Sequence, residues 1–124
     1  MGAVTAVRTK DGLTVTLEVR PLGRDLLAVL TGGAEHIGCT VLAAPRPSLA
    51  DPDRTSATSS VLNCVGHKDE YPCRKVAEAL CARTGATVVC TGGLHVDGAG
   101  PEQLRCFRDL VDQVLEEVLA ALCP

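Results

Sequence analysis

The sequence predicts a single α+β domain over residues 1–124, with a mostly antiparallel sheet of about six strands and two helices packed on one face. Three observations carry that expectation. β-Branched residues recur at alternate positions in the first two apolar stretches, further valine-rich runs follow between turn signals, and only two segments carry helix signals. At 124 residues the chain is long enough to bury a core without metals or disulfides as staples.

The stretches AVTAVRT and LTVTLEVRPL flank Lys10, Asp11 and Gly12, and Asp-Gly is a strong hairpin turn. The second stretch sets Leu13, Val15, Leu17 and Val19 against Thr14, Thr16, Glu18 and Arg20, so one face is buried and one is wet. DLLAVLT lacks alternation and reads as a central strand covered on both faces; IGCTVLAA returns from the turn as a fourth strand. Residues 45–58 hold three prolines among small polar residues and read as a mobile loop, suited to act as a lid. SSVLNCV resumes a strand, after which Asp69 is the expected N-cap of a helix running to about Ala82 and closed by Gly85. ATVVCTG is the sixth strand. Pro101 opens the last helix, where Leu104, Phe107, Val111, Val114 and Val118 repeat at helical spacing. SSVLNCV, helix and ATVVCTG form a βαβ unit whose right-handed crossover makes the two strands parallel, with their C-terminal ends at one edge.

The net charge of −3 and the scattered basic residues give no electrostatic footprint for nucleic acid or an anionic membrane. No run reaches bilayer length, no signal peptide is visible, and Ala6 stands where a myristoylation signal requires Ser or Thr. A soluble cytoplasmic protein is expected. The seven cysteines are odd in number, form no CxxC pair and include Cys81 and Cys90 inside apolar patterns, which points to reduced thiols.

Chemistry concentrates in three turns. TGGAEHIG, VGHKDE and TGGLHVDG each follow a predicted strand, and they hold all three histidines of the chain, His36, His67 and His95. Three imidazoles converging from one sheet edge would ligate a transition metal and leave a coordination position open; each would equally serve to cap its own turn by hydrogen bonds. Gly32-Gly33 and Gly92-Gly93, with Lys68 between them in the third turn, offer backbone N–H groups and a cation to a phosphate, although tight turns alone would also require the glycines. Tyr71 is placed either to stack on a flat ring or to fill the core. No residue is assigned a catalytic role.

In this order, DLLAVLTGGAEHIG, GHKDE and TGGLHVDG resemble the small accessory protein of bacterial gallate decarboxylase systems and its relatives, the LpdD-like prenylated-flavin chaperones, over roughly residues 24–115. The family pattern carries a proline before the first histidine, where this chain has Glu35. The resemblance implies binding of prenylated FMN and help with its oxidative maturation or its delivery to a UbiD-type decarboxylase acting on aromatic acids. On that reading Gly32, Gly33, Lys68, Tyr71, Gly92 and Gly93 hold the flavin, and His36, His67 and His95 hold a metal beside it. Whether such a protein turns over as a catalyst stays open. Two other classes compete: a small metal-dependent hydrolase with Glu35 or Asp69 as base, and a non-catalytic structural component of a decarboxylase. A homodimer through a paired sheet or helix face is the expected assembly.

Overall fold

The computed structural model describes residues 2–64, 66 and 70–123. Its elements run β1 (Val4–Lys10), β2 (Leu13–Leu22), β3 (Asp25–Gly33), β4 (Cys39–Pro47), β5 (Thr55–Asn63), α1 (Glu70–Thr84), β6 (Val88–His95) and α2 (Pro101–Leu122). The six strands form one sheet in the order β1-β2-β3-β6-β4-β5, in which β3 and β6 are parallel neighbours and every other pair is antiparallel.

Local chemistry sets the first half. Asp11 and Gly12 both adopt positive φ, as a two-residue turn of type I′ demands, and Lys10 pairs with Leu13 across it. Gly23, also at positive φ, closes the next hairpin between Leu22 and Asp25. The core face of the sheet is then read directly from the register: Ala6, Leu17, Leu30, Gly92 and Cys39 form one row across five strands, and Val19, Ala28, Cys90 and Val41 form the next. On that face α1 covers β4, β5 and β6 while α2 covers β1 and β2. The α2 positions Phe107, Val111, Val114 and Val118 are buried as their spacing predicts, but Leu104 is 57% exposed. Cys81 and Cys90 are fully buried core residues, and burial, helped by the charge of Glu78, pushes the Cys81 thiol pKa up.

Two local expectations are corrected. β3 does alternate: Leu26, Ala28 and Leu30 are buried, whereas Leu27, Val29 and Thr31 lie half-buried on a face that carries no helix. Its unbroken apolar run comes from sitting in the middle of the sheet, where flanking strands shield even the open face. β5 and β6 are parallel, as the βαβ unit predicts, and the crossover through α1 skips over β4, which lies between them. Residues 45–58 are not a mobile lid. Both strands of a hairpin extend into them, from Pro45↔Ala57 to Pro47↔Thr55, leaving only residues 48–54 as its turn. That turn is tied by Ser48 N–H donating to Arg54 O at 2.8 Å and by the Asp51 carboxylate accepting from Asp53 N–H at 3.1 Å. Pro45 and Pro47 are tolerated because β4 pairs with β6 only from Cys39 to Ala43, so beyond Ala43 that side of the strand has no ladder bond to lose, and Pro52 lies in the turn.

Candidate functional site

β3, β5 and β6 run in one direction, so their C-terminal ends lie at the same edge of the sheet. Two of the histidines can be followed there. The His36 and His95 ring centroids lie 6.0 Å apart, with ring planes at 81°. The chain around His36 is pinned by Ala34 N–H donating to His95 O at 3.1 Å and by Gly38 N–H donating to Gly92 O at 2.8 Å. His36 Nδ1 donates to Ala34 O at 2.9 Å, and because a carbonyl only accepts, the ring's lone pair is left on Nε2. His95 Nε2 meets the Asp97 carboxylate at 2.9 Å, which puts the neutral ring's lone pair on Nδ1. His67, Lys68 and Asp69 lie outside the described residues. Among the described residues no group of three or more His, Cys, Asp or Glu side chains is arranged to hold a metal ion. Glu35 is exposed.

The glycine pairs are not turns. β3 and β6 continue through them, with Thr31↔Gly93, Gly32↔Leu94 and Gly33↔His95 paired in the parallel ladder. A Cβ on Gly92 would fall inside the van der Waals envelope of the Leu30 carbonyl oxygen, and Gly92 also has φ +140°. Gly33, at φ +70°, meets the His95 carbonyl in the same way. A Cβ on Gly32 would lie 2.6 Å from Leu94 Cδ2 and 3.0 Å from Phe107 Cε1. These glycines therefore let β3, β6 and α2 close on one another just below the histidines.

Beside His95 a cleft of about 460 Å³ opens between the two helices. Leu94, Val96, Phe107 and Val111 supply its apolar surface, and His95, Tyr71, Lys75, Arg108 and Asp112 supply polar groups. Gly66 lines it as well. Tyr71 stands at the start of α1 as expected, but it is 62% exposed and serves the cleft, not the core. The Arg108 guanidinium carbon lies 5.9 Å from the Tyr71 ring centroid, and Lys75 forms an ion pair with Asp112. Lys75, Arg108 and Asp112 carry no motif in the sequence. Their only signal is the four-residue spacing of Tyr71 with Lys75 and of Arg108 with Asp112.

The chain is thus an α+β domain with one helix-covered face and a cleft against a histidine edge. The model of the prenylated flavin chaperone LpdD-like domain matches residues 9–123, and the chain belongs to that family. Among solved structures it is similar in fold to a chain of a chaperone complex for yeast 20S proteasome assembly, with a TM-score of 0.52 and 17% identity over 98% of this chain and 96% of that one. That likeness concerns the fold alone. None of the curated proteins matches the sequence.

Proposed function

We propose that this chain binds prenylated FMN in the cleft between α1 and α2 and assists its oxidative maturation or its delivery to a UbiD-type decarboxylase of aromatic acids. The observation that carries the reading is the composition of that cleft: an apolar floor, an exposed aromatic ring in Tyr71 and two cations, Lys75 and Arg108, within one cavity beside His95. A flavin with an added prenyl group asks for those features together, a surface for flat ring and hydrocarbon and positive charge for a phosphate. Once loaded into the decarboxylase, the flavin supplies the decarboxylation chemistry. The present chain would bind it, orient it and keep water from its apolar part.

Within this reading His36, His67 and His95 hold a transition metal at the sheet edge, adjoining the flavin. What favours the set is the 6.0 Å approach of the first and third rings, with His67 next in sequence to Gly66, a residue of the cleft. Lys68 is assigned to the flavin from the sequence, as are Gly32, Gly33, Gly92 and Gly93, of which Gly32 packs against Leu94 on the cleft wall. The working assembly is a cytoplasmic homodimer joined through the helix-free face of the sheet.

The test is reconstitution of an apo decarboxylase with prenylated FMN in air, with and without this protein. The expected result is a larger active fraction and slower loss of the cofactor in its presence. If the protein changes neither, the chaperone reading is lost and the metal-dependent hydrolase takes its place.

A further inference from the structure

Four side chains on the cleft wall form a two-rung ladder between the helices. Tyr71 and Lys75 are four residues apart on α1, Arg108 and Asp112 are four apart on α2, and the rungs are Arg108 over Tyr71 and Lys75 with Asp112. The ladder carries two positive charges and one negative. From this we infer that Lys75 and Arg108 are the phosphate-reading end of the cleft, with Asp112 as an internal stand-in anion that holds Lys75 in place until a phosphate monoester displaces it. The inference rests on the flavin reading above and gives its phosphate a different seat from the glycine pairs, whose backbone is engaged in the β3–β6 ladder.

Three features favour this assignment. Among the described residues no carboxylate pairs with Arg108, so its fork of donors is not already spent on one. The Asp112 side chain is 46% exposed and the Lys75 side chain 35%, so the pair can part with the carboxylate turning into water and no buried charge left behind. A phosphate monoester carries about −1.5 to −2 charges near neutral pH. It therefore outcompetes a single carboxylate for a site flanked by two cations, and Arg108 can meet it with two parallel hydrogen bonds. Phe107 and Val111, which lie on the apolar side of the same helix, leave the ring and prenyl carbons of such a ligand on the floor of the cleft.

The measurement is anaerobic calorimetry with two ligands, prenylated FMN and the same molecule after phosphatase has removed its phosphate. Wild type should prefer the phosphorylated form by about tenfold or more, equivalent to roughly 1.4 kcal/mol. Lys75→Gln and Arg108→Gln should each shrink that preference, and the double variant should abolish it while retaining affinity for the dephosphorylated ligand. Arg108→Lys should keep part of it, since the charge survives and the planar fork does not. Asp112→Asn should tighten binding of the phosphorylated ligand alone. Inorganic phosphate should compete weakly with prenylated FMN on wild type and not on the double variant, which separates recognition of the phosphate from recognition of the ring. Thermal unfolding of each variant shows whether it is folded. A preference that persists in the folded double variant overturns the phosphate assignment and leaves the flavin reading standing; failure of wild type to bind either ligand overturns both.

Discussion

His36 and His95 are the residues on which the metal proposal turns, and each ring has one nitrogen held within its own segment. With Nε2 of His95 on Asp97, a metal would be met by His95 Nδ1, the ring being oriented by the partner of its other nitrogen, while His36 Nδ1 is held by the Ala34 carbonyl. Elemental analysis should find a transition metal in wild type and markedly less in His36→Ala, His67→Ala and His95→Ala. Asp97→Asn, which keeps the ring but weakens its orientation, should lower metal affinity by about 10- to 100-fold. Equal metal content in all five proteins would remove the idea. At this scale the sequence was half legible. Histidines in glycine-rich segments after strands announce themselves by type and position, whereas Lys75, Arg108 and Asp112 look like ordinary solvated helix charges. What brings them together on one cleft is the rotation of α1 against α2, which depends on Val76, Leu80, Leu110 and Val114 packing in the core and cannot be seen in any one helix.

Among elements, those with a strong local cause were legible and those defined by their neighbours were not. Asp11-Gly12 forces its hairpin, Pro101 opens α2 at its first position, and Gly85 closes α1 at positive φ with its N–H on Cys81 O at 2.9 Å. By contrast, Gly32-Gly33 and Gly92-Gly93 read as turns because glycine is a poor strand former, yet they stay paired in the β3–β6 ladder even with Gly33 and Gly92 at positive φ, and their missing side chains admit Phe107 and the Leu30 carbonyl. The proline-rich stretch after Ala44 misled in the same way, for β4 and β5 support each other there. The correction has a functional consequence. β4 starts beside the histidine edge and runs nine residues away from it, so the 48–54 turn is roughly 30 Å from His95 at about 3.3 Å per residue. Replacing residues 49–53 by a short Gly-containing turn should therefore leave the affinity for prenylated FMN within about twofold of wild type by calorimetry. A tenfold loss would mean that this hairpin reaches the ligand after all.

The molecule as a whole has two unlike faces, and the proposed function divides between them. The helix side carries the cleft; the other side of the sheet is open, with Leu27, Val29 and Val89 half-buried at its centre and Leu42 47% exposed. Glu18 and Arg20 lie on this same face of β2, which allows charge pairing across a two-fold axis. Six strands about 4.8 Å apart, with about six outward-facing residues' length of roughly 3.3 Å each, present on the order of 500 Å² per copy. Two copies face to face would bury about 1,000 Å², at the lower edge of what a specific interface needs. The expected dimer is accordingly reversible, dissociating in the micromolar range, and sensitive to one change because each substitution enters an isologous interface twice. Sedimentation equilibrium should show wild type as a monomer–dimer mixture and Leu42→Asp as a monomer, since two carboxylates would be brought into an apolar contact. The same variant should bind prenylated FMN with unchanged affinity, because Leu42 points away from α1 and α2. If wild type remains monomeric at a hundred-fold higher concentration than that range, roughly 100 μM, self-association through this face is wrong while the cleft assignment is untouched. If Leu42→Asp loses flavin affinity along with the dimer, the two faces are coupled and the ligand site is completed only in the assembled pair.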